Sequence, residues 1–202
     1  MIEHFDQQVD EFFERHLRGK PAVDRVFYAA SALGDHGTIW LILAAIRGLR
    51  SKDHWHAAIR AAAAIGLESA LINGPVKWLF RRERPNHEGD RPFPLRQPRT
   101  SSFPSGHATS SFCAAALLSD GDPSWRPIYY GIAMVVSWSR VHVRIHHASD
   151  VVGGIGIGVV LGEVSRRVAP LPGRPQEPDE AREPEEDDPI PYRWESDGLS
   201  GS

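Results

Sequence analysis

The stretch Ser139-Arg-Val-His-Val-Arg-Ile-His146-His-Ala-Ser-Asp150 decides how this chain is read. It follows one apolar run, Ile128–Val141, and leads straight into another, Val151–Val164. His146 and Asp150 stand at i and i+4, which makes them neighbours on a helical face. A carboxylate in that position accepts the proton of one imidazole nitrogen. That fixes the tautomer and leaves the other nitrogen free to attack an electrophile. Arg140 adds a guanidinium to the same short stretch.

Two further clusters lie beside apolar segments. In Lys77-Trp-Leu-Phe-Arg-Arg-Glu-Arg84-Pro85 the spacing of Lys77 and Arg84 is two helical turns, so the two share a face and can grip one anion. Pro85 predicts the end of that helix, with Arg84 at its terminus. Pro104-Ser105-Gly106-His107 opens an apolar helix, His107–Leu118. Ser105 suits the N-cap, and the free N–H groups of Gly106 and His107 at a positive helix end form a ready phosphate site. Together the clusters supply a nucleophile with its orienter, a second histidine for acid catalysis, and three cations with backbone donors. In-line phosphoryl transfer needs that set when no Mg²⁺ is present.

In this order, Lys-x6-Arg-Pro, Pro-Ser-Gly-His and Ser-Arg-x5-His-x3-Asp resemble the tripartite signature of the type 2 phosphatidic acid phosphatase (PAP2) superfamily. That superfamily also contains bacterial acid phosphatases and vanadium haloperoxidases. Every signature position is intact between Lys77 and Asp150, and the likeness runs on to about Val168. The resemblance implies an all-α, membrane-embedded helical bundle of the PAP2/haloperoxidase type with five to six helices. It implies that His146 forms a phosphohistidine with Asp150 behind it, and that His107 protonates the leaving oxygen and then activates water. Lys77, Arg84, Ser105, Gly106 and Arg140 would hold the phosphoryl oxygens, with no metal and no cofactor.

The 202 residues carry a net charge of −3, unevenly spread. Residues 1–169 hold 20 Lys and Arg against 16 Asp and Glu, whereas 170–202 hold 3 against 10, with seven prolines. Such a segment cannot bury enough apolar surface to offset chain entropy, so residues 170–202 are expected to be a disordered acidic tail behind a phosphatase domain at 1–169. The single cysteine, Cys113, excludes an intramolecular disulfide and fits a packed thiol in an Ala-rich run. Glu3, Asp6 and Asp10 exclude a secretory signal peptide at the N-terminus. Within residues 1–20, Ile2, Phe5, Val9, Phe12, Phe13 and Leu17 recur at helical spacing, giving an amphipathic helix suited to a membrane interface.

Five apolar segments follow: Val26–Ile46, Ala57–Phe80, His107–Leu118, Ile128–Val141 and Val151–Val164. None is an ideal spanning helix. The first contains Asp35 and His36, the second Arg60 and Glu68, and the rest are short of the roughly 20 residues that cross hydrocarbon. Mean hydropathy is −0.34, lowered by the tail and the polar stretch 81–106. A soluble helical core and a bundle of short membrane helices both fit. Five such segments in succession favour the bundle, as do the glycines 153, 154, 156 and 158 and tryptophans, Trp40 among them, towards segment ends. Acids inside apolar segments are costly and often functional, but Glu68 pairing with Arg60 and Asp35 capping a break near Gly34 serve as well. Arg47, Arg50, Lys52 and Arg166-Arg167 fall on the side away from the signature. The positive-inside rule then makes the chain a multi-pass inner-membrane protein with an outward-facing site. The expected partner is a phospholipid or isoprenoid phosphate or pyrophosphate substrate, and no nucleic acid. The rivals are a soluble-type acid phosphatase or a vanadate-dependent haloperoxidase of the same superfamily, and an inactive lipid-binding membrane protein.

Overall fold

The computed structural model describes residues 1–86, 91–98 and 100–172. The acidic tail expected from residue 170 lies, from residue 173 on, outside the described residues. No strand occurs among those described. The α-helices are α1 (Ile2–His16), α2 (Pro21–Leu33), α3 (Thr38–Gly48), α4 (Lys52–Leu71), α5 (Lys77–Phe80), α6 (Gly106–Gly121), α7 (Arg126–His142) and α8 (Ala148–Val168). α4 runs on into α5 through a wide turn at Ile72–Val76, and α2 and α3 are one bent pair. Counted that way, the described residues form six rods, in line with an all-α bundle of five to six helices.

α6 is the axis of the bundle, packed against α8, α7 and α4. Its approach to α8 is set by small side chains. Gly154, Gly158 and Gly162 repeat every four residues and line one face of α8. A Cβ at Gly154 would stand 2.6 Å from the Ser105 carbonyl oxygen, and one at Gly158 2.5 Å from that of Thr109. Such contact distances bring the helix N-termini together. Trp40, expected in an interfacial belt, is instead fully buried against α6, because its Nε1–H finds the Ser111 hydroxyl at 3.0 Å. Cys113 is buried in the same cluster, as its Ala-rich setting suggested.

The first apolar segment is not continuous. At Asp35–Gly37, with His36 at φ 55° and Gly37 at φ 70°, the chain leaves α2 and enters α3 at a 66° bend. α8 has 21 residues and is long and apolar enough to cross a membrane; the bent pair passes the same test together. At 1.5 Å per residue, α8 spans about 30 Å, the thickness of a hydrocarbon core. Much of the bundle's outer face is apolar, with Ile42, Ile46, Ile59, Leu67, Leu71, Val152 and Val160 exposed.

The first helix, expected to be an amphipathic surface element, is also built into the bundle. Ile2, Phe5 and Phe12 stay exposed, but the opposite face is built into the bundle. Asp6 accepts from the backbone N–H of Ser149 (2.7 Å) and from its hydroxyl (2.8 Å), so it caps the start of α8. Arg18 donates to the carbonyls of Val141 and His142, which end α7. Glu68 and Arg60 do not pair with each other: Glu68 accepts from Ser110 at 2.5 Å, and Arg60 binds Asp120 at 2.6 Å. Arg60 faces the end of α6 and Glu68 its first turns, so the two sit at different levels of the bundle.

Gly158→Leu should separate α6 from α8 and lower stability by about 1–3 kcal/mol, read as a fall of several degrees in Tm in detergent. Gly156→Ala, where a Cβ meets nothing within 4 Å, should leave Tm unchanged. Equal effects at the two positions would show that the glycine stripe does not set the helix contact.

Candidate active site

The three sequence clusters converge at one end of the bundle. Lys77, Gly106, His107, Arg140 and His146 line a single cavity of about 360 Å³, with Asp35, Ser69, Asn73 and Ser110 around its remaining wall. The local structure that brings them there differs from the periodic reading in two places. The helix bearing Lys77 ends at Phe80, with Arg81 left-handed at φ 44°. Lys77 and Arg84 therefore share no helical face, and Pro85 terminates nothing. Arg84 reaches the site from a non-helical segment that is pinned by Ser102 N–H donating to the Arg82 carbonyl at 2.8 Å. Likewise, His146 is not on a helix. α7 ends at His142, Arg144 turns the chain at φ 53°, and His146 lies in the turn before α8. The N–H groups of Ile145 and His146 both close back onto the Arg140 carbonyl.

Asp150, in the first turn of α8, nevertheless faces His146, with Oδ2 3.6 Å from Nδ1. That contact is electrostatic, longer than a hydrogen bond. Asp150 itself is held tightly. Oδ2 accepts from the Ser102 hydroxyl at 2.6 Å and the His147 backbone N–H at 2.8 Å, and Oδ1 pairs with Arg82 at 2.7 Å. Arg82 also reaches Asp6 at 2.7 Å, so the chain of contacts runs from α1 through Arg82 and Asp150 to His146. On the far side of the ring, Arg84 Nη1 lies 3.2 Å from Nε2 and also donates to the Ile145 carbonyl. Nε2 is thus the nitrogen that faces the cations.

His146 is 3% exposed. Burial pushes its pKa down to about 3; Asp150 opposes the shift, while Arg140 and Arg84 add to it. The ring is therefore neutral at ordinary pH, with a lone pair available.

Around it are donors without acceptors. Ser105 caps α6 by position but makes no cap hydrogen bond, and its hydroxyl is buried with no partner. Arg140 is 1% exposed and gives one Nη to the Ser31 hydroxyl, while Nε and the other Nη have no partner among the described residues. Lys77 Nζ donates to Asn73 Oδ1 at 3.0 Å, and Gly106 leaves open the space in front of it. Buried cationic donors of this kind are costly unless an anion satisfies them. Among the described residues no three His, Cys, Asp or Glu side chains converge to hold a metal ion.

Some basic residues near the signature are occupied elsewhere. His142 pairs with Asp24 at 2.8 Å and stacks on Phe27, joining α7 to α2. Arg144 pairs with Glu14 at 2.6 Å. Ser102 and Asp6 support the site although nothing in the sequence singled them out, and for Arg82, an extra cation beside the signature, and Asp35, an acid in an apolar run, no spacing named the partners. Their partners are 44 to 143 residues away.

A helical bundle with a neutral imidazole set against unpaired cationic donors defines an enzyme that handles a phosphoryl group. Residues 57–171 match the PAP2 superfamily, and the chain belongs to it; it is a phosphatase. The decaprenylphosphoryl-5-phosphoribose phosphatase of Mycobacterium tuberculosis is 32% identical over 151 residues, 73% of this chain and 81% of that protein. The lipid A 1-phosphatase of Porphyromonas gingivalis is 29% identical over 60% of this chain and 26% of that protein. The crystal structure of a transmembrane PAP2 type phosphatidylglycerolphosphate phosphatase from Bacillus subtilis superposes with a TM-score of 0.60 at 25% identity, covering 80% of this chain and 85% of that one.

In ¹⁵N-histidine-labelled protein, the His146 ring should stay neutral down to about pH 4 and titrate near 3. The sign for stability follows, since an unfolded histidine binds its proton at 6.5. Folding should lose stability as pH falls from 6.5 towards 3. A midpoint near 6.5 would contradict the burial argument.

Proposed function

We propose that this phosphatase hydrolyses the phosphate monoester or pyrophosphate of a membrane lipid or isoprenoid carrier through a phosphohistidine on His146, without a metal ion. The observation that carries this reading is the set of buried donors on Ser105 and Arg140 with no acceptor, beside the cation-facing nitrogen of His146. A phosphoryl group seated there satisfies them all. Lys77, Arg84 and Arg140 then supply the positive charge that Mg²⁺ supplies elsewhere, and Ser105 and the N–H groups of Gly106 and His107 supply directional bonds.

In the first step Nε2 of His146 attacks phosphorus and the bond to the leaving oxygen breaks. His107, entering this step as an imidazolium, gives that oxygen a proton and becomes neutral. Asp150 stabilises the ring as it becomes positive. In the second step His107 takes a proton from water, whose oxygen attacks phosphorus. The P–N bond breaks, releasing orthophosphate and restoring neutral His146.

The relatives named for lipid and prenyl substrates, and the apolar outer face of the bundle, support a lipid-borne substrate. We read the phosphatase domain as residues 1–169 with α1 included, since Asp6 and Arg18 tie α1 to both ends of the α7–α8 turn. We read the chain as multi-pass. The end of the bundle opposite the site carries Arg47, Arg50, Lys52, Arg166 and Arg167, which favours that end as cytoplasmic and the site as outward-facing.

His146→Ala should lower phosphate release from phosphatidate or prenyl pyrophosphate by about a thousandfold or more, and EDTA should leave the wild-type rate unchanged. Loss of activity in EDTA would sink the metal-free mechanism. Peroxide-dependent bromination after adding vanadate would point to the haloperoxidase reaction instead. Arg82→Met, which keeps bulk but frees Asp150 Oδ1, should lower kcat about tenfold or more with KM little changed. An unaltered kcat would remove Arg82 from the orienting chain.

A further inference from the structure

The corner between α2 and α3 lies outside the stretch matched by the family, which begins at residue 57. It nonetheless supplies part of the cavity wall, through Gly34, Asp35, His36 and Gly37. Asp35 Oδ1 is 3.2 Å from Nε2 of His107, and the Ser31 carbonyl oxygen is 3.1 Å from the same nitrogen. Both oxygens are acceptors, so Nε2 must carry the proton. Nδ1 is then the nitrogen left to exchange a proton with substrate or water.

The backbone is shaped for this contact. Gly37 holds φ 70°, a region that glycine enters without penalty. A Cβ at Gly34 would stand 2.6 Å from the His107 ring, so glycine there admits the imidazole. The charge balance gives the contact a purpose. His107 shares the cavity with Arg140 of α7, Lys77 of α5, Arg96 of the 91–98 segment and neutral His146, and Arg140 acts on its ring directly. Those cations oppose an imidazolium. Asp35 is the one acid among the described residues that line the cavity.

We propose that Asp35 is a positioning residue for His107. It holds the Nε2 proton so that Nδ1 serves the leaving group, and it offsets the surrounding cations when the ring becomes positive. This rests on His107 being the acid and base of the proposed mechanism.

The full-length protein in detergent, as wild type, D35N, H107A and the double variant, separates the possibilities. The rate of enzyme phosphorylation is measured by rapid quench with two substrates. Phosphatidate has an alkyl leaving oxygen that needs a proton, whereas p-nitrophenyl phosphate has one that does not. D35N, isosteric with the native residue, should slow transfer from phosphatidate about tenfold to a hundredfold and leave transfer from p-nitrophenyl phosphate within about twofold. It should have no further effect in the H107A background. An equal loss on both substrates would make Asp35 merely structural. No loss on either, or an undiminished effect without His107, would overturn the proposal. A wild-type enzyme that forms no phosphoenzyme overturns the phosphohistidine reading and this inference with it, and that result is seen before any variant is compared.

Discussion

A buried carboxylate is expensive unless its oxygens are bonded, and Asp150 is fully buried. Its solution is to draw a partner from each part of the chain that must meet at the site. Arg82 comes from the segment after α5, Ser102 from the approach to α6, and His147 from the α7–α8 turn. The positive N-terminus of α8 adds to the stabilisation. Satisfying this one acid therefore assembles the loops that carry Arg84, Ser105 and His146. Its hydrogen-bond partners leave the imidazole at a longer, electrostatic distance. In the proposed mechanism the ring moves a little as it attacks, and a fixed acid with a less tightly bound histidine suits that better than the reverse.

Those segments meet because two helices begin almost in contact. The glycines of α8 allow the Ser105 carbonyl to approach the face of α8, and the Ser105 N–H donates to the Asp150 carbonyl at 3.0 Å. The small-residue stripe and the proposed phosphate cradle are in this sense one feature. Close helix packing places the start of α6 beside the start of α8, and both positive ends then face the same space. On that proposal a larger side chain on the stripe would act on chemistry by moving the cradle, with no change in any residue assigned to phosphate.

Residue type and order picked out eight positions, and the structure brings them to one end of the bundle. Local periodicity misled wherever the chain departs from a helix. Lys77 and Arg84 looked like one helical face, but Asn73-Gly74-Pro75 widens the turn before α5, and the helix stops at Phe80. His146 and Asp150 looked like a helical pair, yet the contact survives across a turn because α8 starts at Ala148 and its first turn points back. Asp6 read as one more polar residue on an amphipathic helix; its partner, Ser149, is 143 residues away, and no local spacing encodes that. Asp35 stood out as an acid in an apolar run, either functional or capping a break near Gly34. Its partner, His107, belongs to a different cluster, and the break that delivers it depends on His36 and Gly37 both taking positive φ.

With the lipid-borne substrate proposed above, the cavity also bears on how one site could serve different chains. Beyond the cations its walls are Ser69, Asn73, Ser110 and Asp35, with Ile65 the one large apolar side chain among its described lining residues. A prenyl or acyl chain gains nothing by entering such a space, since burying it there would displace polar groups from water without offering them partners. The apolar surface lies outside, on α3, α4 and α8, where Ile42, Leu67 and Val160 face outward. A lipid phosphate meeting this site would place its phosphoryl group and adjoining polar atoms in the cavity and leave its tail in the bilayer. Recognition then rests on the few atoms next to phosphorus, and the identity of the tail contributes little. Discrimination between substrates falls to the polar wall that Asp35 shares with Ser69, Asn73 and Ser110.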